Sequence, residues 1–166
     1  RNGVGGELPN LIEHILAETG VERLRLSSLQ AQELSPQLLK LWTDPRLCNH
    51  LHIPLQSGSD TVLQRMGRRY SVTAFEEAVS LARQAISDVA ITTDILVGFP
   101  GESEAEFEES YCFCKKTGFA NIHVFSFSPR PDTGAAGMPR QVHEKVKKER
   151  SQMMLTLAQE SARCFR

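Results

Sequence analysis

The sequence predicts an α/β fold built on a parallel sheet, with four strands in chain order and helices between them. Three observations predict it. Apolar runs of strand length alternate along the whole chain with stretches of helical spacing. Helices between successive strands impose parallel pairing with right-handed crossovers. Three of the strand-like runs also end abruptly in polar and glycine residues. These are His50-Leu51-His52-Ile53-Pro54-Leu55-Gln56-Ser57-Gly58-Ser59-Asp60, Ile91-Thr92-Thr93-Asp94-Ile95-Leu96-Val97-Gly98-Phe99-Pro100-Gly101-Glu102 and Ile122-His123-Val124-Phe125-Ser126-Phe127-Ser128-Pro129-Arg130-Pro131. Strands that deliver polar groups at their C-terminal ends point to one shared site.

Leu8, Leu11, Ile12, Ile15 and Leu16 recur at helical spacing and Gly20 supplies a stop, so a helix is expected over 8–19. Residues 23–29 alternate, with Leu24 and Leu26 on one face, and predict the first strand. Ser35 caps a helix with Pro36 in its first turn, running through Leu38, Leu39, Leu41 and Trp42 to Asp44-Pro45. Residues 50–55 form the second strand. A short helix follows through Thr61, Val62, Leu63 and Met66. Ser71 or Thr73 then caps a longer one with Phe75, Ala78, Val79, Leu81 and Ala82 on its faces. The third strand is 89–97. Ser103 opens a helix whose first turns carry Glu104, Glu106, Glu108 and Glu109, favourable to the macrodipole, and Gly118 closes it. The fourth strand is 121–127, followed by a Pro- and Gly-rich loop over 128–139 and a charged helix from Val142 to the end.

Four strands do not close a barrel. They form either an open sheet or an arc of a (β/α) barrel whose opening strands are missing. Asn2-Gly3-Val4-Gly5-Gly6, which look like a loop leaving an absent strand, favour the arc.

At 166 residues and 40% hydrophobic the chain suffices for one domain with a real core. Its net charge of −1 gives no global signal for nucleic acid. No apolar run approaches membrane-spanning length and no signal peptide is visible, so neither membrane nor export is expected. Cys48, Cys112, Cys114 and Cys164 form no CxxC pair and fit a reducing cytoplasm. Cys112 and Cys114 lie two apart on a helix, about 200° around its axis, and do not share a metal readily. Arg1 opens the sequence and Arg166 ends it within a helical pattern, so a piece of something longer is expected. GK[ST] and GxGxxG are both missing, which argues against a small phosphate-binding module.

Residues 24–163 resemble the radical S-adenosylmethionine (SAM) core of methylthiotransferases. The resemblance rests on Leu26-Ser27-Ser28-Leu29; on His52-Ile53-Pro54-Leu55-Gln56-Ser57-Gly58-Ser59-Asp60 with Val62-Leu63 and Met66; on Thr93-Asp94-Ile95-Leu96-Val97-Gly98-Phe99-Pro100-Gly101-Glu102 and Phe107-Glu108-Glu109; and on Ser128-Pro129-Arg130-Pro131-Asp132-Thr133, Ala135-Ala136 and Lys148-Glu149-Arg150. It implies a partial (β/α) barrel of the radical SAM type, with four of six core strands present and the opening strands missing. The wording after His52, with Arg69-Tyr70 and His123-Val124-Phe125, is most similar to the branch acting on threonylcarbamoyl-adenosine in tRNA. Branches acting on isopentenyl-adenosine in tRNA, or on a ribosomal-protein aspartate, are the alternatives.

The family holds a [4Fe–4S] cluster on a CxxxCxxC loop, which this sequence lacks. The resemblance therefore implies a cytoplasmic, tRNA-modifying parent enzyme that uses SAM and [4Fe–4S] clusters. Residues 1–166 would be the C-terminal part of its radical SAM core, inactive alone. The family's cluster-binding N-terminal domain and C-terminal RNA-binding domain would lie outside. A catalytically inactive scaffold or binding domain is the reading from another class.

The residue chemistry runs the same way. A methionine carboxylate wants a guanidinium; the resemblance puts Arg68 there, with Arg65 and Arg69 as alternatives. Asp94 sits inside an apolar strand, where an unpaired carboxylate is costly. It suits a ribose diol, or else a structural partner such as Arg130 or a Ser hydroxyl. Gln56, at a strand's end, suits ribose or substrate. Leu96, Phe125 and Ser128 match the places that meet adenine, with core packing as the alternative for Phe125. Ser27 and Ser28 face the ligand or satisfy a turn. Gly98 and Gly101 serve a tight turn. Glu102 is either a first-turn helix charge or functional. His52 and His123 are expected as satisfied core or rim residues. The last helix, with Lys145, Lys147, Lys148, Arg150 and Arg163, invites an RNA reading, but a solvated amphipathic helix packing through Val146, Met153, Met154, Leu157 and Ala158 is preferred.

Overall fold

A computed structural model describes residues 7–165; the glycine-rich opening stretch lies outside the described residues. Six helices and three strands follow one another: α1 (Glu7–Glu18), α2 (Pro36–Leu39), β1 (His50–His52), α3 (Asp60–Arg65), α4 (Val72–Ala85), β2 (Ala90–Val97), α5 (Glu104–Thr117), β3 (Asn121–Ser126) and α6 (Glu144–Phe165). Caps set the helix starts where the sequence placed them. The hydroxyls of Ser35, Ser71 and Ser103 accept from the amides of Leu38, Ala74 and Glu106. Gly118, in the left-handed conformation, ends α5.

The sheet is parallel with order β1-β2-β3. The first expected strand, over 23–29, is not a strand. It lies beside the chain leading into β1 but bonds only at its ends, through a parallel bridge between Leu24 and Leu47 and through the Leu29 amide to the His52 carbonyl. Between those points the neighbouring chain turns sharply, the His50 amide donating back to the Cys48 carbonyl at 2.6 Å, so no continuous ladder forms.

One face of the sheet packs against helices. Leu51, Ile91, Ile95, Val97 and Ile122 are all buried there with Phe75, Phe107, Phe119, Met154 and Leu157. Gly58 shows how closely the layers approach. A Cβ on it would meet Ser110 Cα at 2.8 Å and Phe113 Cβ at 2.9 Å, and its amide donates to Ser110 Oγ at 2.7 Å.

α6 is tied to the turn after β2 by a buried ion pair. Arg150 Nη1 donates to Glu102 Oε2 at 2.7 Å, with the two side chains 6% and 1% exposed. The same oxygen accepts from the Gly98 amide at 2.7 Å. Lys147, also buried, packs over Gly98 (φ +75°) and donates to the Phe127 carbonyl at 3.0 Å. So Glu102 is a buried clamp rather than a solvated helix-start charge, and Lys147 and Arg150 are not solvated. Met154, Leu157 and Ala158 pack as expected, while Met153 faces outward. Burial pushes the Glu102 carboxyl above its ordinary value, outweighing the pull of the Gly98 amide and Arg150. Removing one partner of such a pair leaves a bare buried charge. Arg150→Ala should therefore cost about 3–5 kcal/mol by chemical denaturation at neutral pH. The loss should shrink as acid protonates Glu102; a loss below about 1 kcal/mol would contradict the clamp.

Between α3 and α5 a second ion pair closes the layer. Arg65 binds Glu106 in a fork, both bonds at 2.9 Å, and Thr61 Oγ1 donates to the same carboxylate. Arg65 holds the Glu106 carboxyl far below its ordinary value, helped by the Ser103 amide. A depressed carboxyl contributes stability that is complete above the unfolded value near 4.5 and is lost as pH falls below it. Between about pH 7 and pH 3 the wild type should thus lose more stability than Glu106→Gln. Parallel stability curves would contradict this assignment.

Candidate functional site

Registered partners in a parallel sheet lie on the same face, and side chains alternate along each strand. His52 pairs with Thr92, Asp94 with His123, and Leu96 with Phe125. His50, His52, Thr92, Asp94, Leu96, His123 and Phe125 therefore share the face opposite the helical layer. That face is polar at its centre and open: Phe125 is 53% exposed and His123 is exposed, so Phe125 is not core packing.

Asp94 does not pair with Arg130 or a serine. Its Oδ2 lies 3.3 Å from His52 Nε2, with the side chains 23% and 14% exposed respectively. His52 Nδ1 meets Thr92 Oγ1 at 3.0 Å, and Thr92 Oγ1 meets His50 Nε2 at 3.3 Å. Arg25 Nε donates to His50 Nδ1 at 3.0 Å. The ring of His123 stands edge-on to His52, centroids 5.6 Å apart. Burial pushes the His50 imidazole below its ordinary value, and the Arg25 charge adds to the effect. His52 is thus the satisfied, mostly buried histidine the sequence suggested, and what sequence reasoning missed is its contact with Asp94. The signal was present in the alternation of His50 and His52 with buried Leu51 and Ile53, on a strand destined to lie beside Asp94.

Gln56 enters this neighbourhood through a bulge. The Ile53 amide donates to the Thr92 carbonyl; the next ladder bond comes from Gln56, not Leu55, and reaches the Asp94 carbonyl at 2.8 Å. The amide of Leu55 is satisfied instead by Thr93 Oγ1 at 3.0 Å. One extra residue is thus inserted, and Gln56 takes φ +70°, a left-handed conformation costly for a side chain with a Cβ. It bridges to Ile95, directly between Asp94 and Leu96. Ser28 (φ +57°) ends the segment before β1 in the same conformation, while Gly98 and Gly101 form the tight turn after β2.

The structure brings Asp94, Leu96 and Phe125 together on one face; Gln56 lies at its edge, its backbone amide and carbonyl bonded to the Asp94 carbonyl and the Leu96 amide. Leu96 is half-buried against the small cluster of Val62, Phe99 and Phe127. Ser128 is exposed just beyond β3. Arg68 stands apart from them, lining a cavity of about 320 Å³ with Gln30, Gln32, Gly67, Arg69 and Tyr70. Tyr70 fixes that cavity to the segment after β1 by donating to the Leu55 carbonyl at 2.9 Å. Arg65, the alternative to Arg68, is committed to Glu106.

Among the described residues no three of His, Cys, Asp and Glu gather where they would hold a metal ion. Cys114 is buried, which pushes its thiol up to about 12, and Cys48, Cys112 and Cys164 are dispersed. These residues do not fit an iron–sulfur cluster. The open strand face carries groups a nucleoside could use: one carboxylate with a second oxygen to spare and an exposed aromatic ring, with the strained Gln56 at its edge.

A model of the radical SAM superfamily matches residues 7–114. The threonylcarbamoyladenosine tRNA methylthiotransferase of Thermotoga maritima is 45% identical over 89% of this chain and 34% of its own length. The tRNA-2-methylthio-N(6)-dimethylallyladenosine synthase of Caldicellulosiruptor saccharolyticus is 39% identical over 97% of this chain and 36% of its own length. The chain spans about a third of the length of the curated relatives it matches. Coproporphyrinogen III oxidase from Escherichia coli, a radical SAM enzyme, superposes with a TM-score of 0.73 at 14% identity, covering 92% of this chain and 36% of that one. The sheet with its open face is thus a partial radical SAM barrel, and the chain belongs to the radical SAM superfamily.

Proposed function

We propose that this chain is the C-terminal part of the SAM-binding core of a tRNA methylthiotransferase. Its substrate would be an adenosine carrying an N6-threonylcarbamoyl group, next to the anticodon. The observation that carries the reading is the open strand face, where Asp94, Leu96 and Phe125 lie together with Gln56 at its edge, in a chain 45% identical to a methylthiotransferase. When bound, SAM supplies the methyl group and the radical chemistry by which an unreactive C–H carbon receives a methylthio group.

The chain's own residues bind and orient. Asp94, held on one oxygen by His52, accepts from the ribose diol with the other. Phe125 and Leu96 offer an apolar surface to adenine, with Ser128 at its edge. Gln56 adds an amide beside the ribose. Arg68, whose guanidinium meets no carboxylate in the ion pairs of the described residues, takes the methionine carboxylate. Among the described residues none of the four cysteines is placed to ligate an iron–sulfur cluster.

Calorimetry on the full-length, anaerobically reconstituted protein tests the binding residues. Truncating a charged partner of a shielded carboxylate costs about 2–5 kcal/mol. Arg68→Ala should weaken SAM binding by well over tenfold; Asp94→Asn should weaken it less, since the amide oxygen still accepts. Unchanged affinity in both would place the cofactor elsewhere.

Mass spectrometry of tRNA nucleosides after turnover tests the activity. The methylthio group should appear on threonylcarbamoyl-adenosine. Its appearance on dimethylallyl-adenosine alone would assign the other tRNA branch, and no modified nucleoside would refute both.

A further inference from the structure

The proposed function uses Asp94 but leaves the polar row behind it unexplained. That row crosses from the segment before β1, through β1, to β2: Arg25, His50, Thr92, His52, Asp94. Its direction follows from its ends. Arginine only donates and a carboxylate only accepts. Arg25 Nε–H points at His50 Nδ1. Arg25 lies against both ring nitrogens of His50, its Nε 3.0 Å from Nδ1 and its Nη2 2.9 Å from Nε2; assigning the Nε–H to Nδ1 puts the His50 proton on Nε2. His50 Nε2–H then donates to Thr92 Oγ1. The Thr92 hydroxyl, having accepted, turns its own proton to His52 Nδ1 at 3.0 Å. That leaves His52 protonated on Nε2, the nitrogen 3.3 Å from Asp94 Oδ2. With that assignment the row runs one way and ends at the contact between His52 and the Asp94 carboxylate.

We infer that His52 is a positioning residue for SAM, locked by the Arg25–His50–Thr92 row in the tautomer that pins one oxygen of Asp94 and leaves the other for the ribose. The inference rests on the ribose reading of Asp94. Neither His52 nor Thr92 touches the ligand; each acts through the next group in the row. The arrangement resembles the way second partners fix the tautomer and ring orientation of functional histidines. Its benefit is preorganisation: a carboxylate already oriented loses little freedom when the diol arrives.

Two measurements on the full-length protein test it. The first needs no SAM. Nitrogen-15 NMR of imidazole-labelled apo protein should find His52 as the Nε2–H tautomer. Thr92→Val should convert it to a mixture or to the other tautomer. A His52 that is Nδ1–H in the wild type, or indifferent to Thr92→Val, overturns the inference.

The second is SAM affinity by calorimetry on the reconstituted protein. His52→Leu should weaken binding at least tenfold, and His52→Gln, whose amide N–H reaches about as far as Nε2, should recover most of it. In an Asp94→Asn background His52→Leu should add nothing. Equal losses for Leu and Gln, or additive losses in the double variant, overturn the positioning role. If Asp94→Asn alone leaves affinity unchanged, the ribose reading falls, whatever NMR reports for the tautomer.

Discussion

The carboxylate of Glu102 holds together the part of the molecule on which the site depends. It receives the Gly98 amide and the Arg150 guanidinium on one oxygen, inside the protein. This single group fixes the turn that ends β2 and anchors α6 across it. Lys147 adds a second tie, from the same helix to the Phe127 carbonyl beyond β3. Two strand ends are therefore held by one helix. Burial opposes ionisation of Glu102, so the pair is costly to assemble. What it contributes is a definite position for the strand ends whose open side carries Asp94, Leu96 and Phe125.

The site itself combines rigidity with local strain. The two faces of the sheet differ sharply: one is filled with aliphatic and aromatic side chains, the other carries imidazoles, hydroxyls and a carboxylate. Those polar groups satisfy one another in a row, which is what permits them to stand on a sheet without excessive desolvation cost. Gln56 is the exception. It occupies a left-handed conformation in a bulge next to Asp94, and no turn geometry demands a glutamine there. A glycine would relieve that strain.

Much of this was legible in the sequence because it depends on local rules. Caps at Ser35, Ser71 and Ser103, the stop at Gly118 and the parallel order of the strands follow from spacing and turn chemistry. That Asp94, Leu96 and Phe125 share one face follows from strand alternation. What escaped were pairings between distant segments. Nothing near Glu102 announces Arg150, forty-eight residues away. Alternation marks Leu24 and Leu26 as strand-like, but the turn at Cys48–His50 that denies them a ladder lies on the neighbouring segment. His52 was read as a lone histidine because its partner, Asp94, is set by the register between β1 and β2.

The central claim is that this open strand face holds the nucleoside of SAM against Asp94. A crystal structure of the reconstituted full-length protein with SAM bound tests it most directly. The account predicts ribose oxygens within about 3 Å of the free Asp94 oxygen, His52 still on the other, and adenine over Phe125 and Leu96. A ribose bound elsewhere, with Asp94 and His52 facing only solvent, would contradict it.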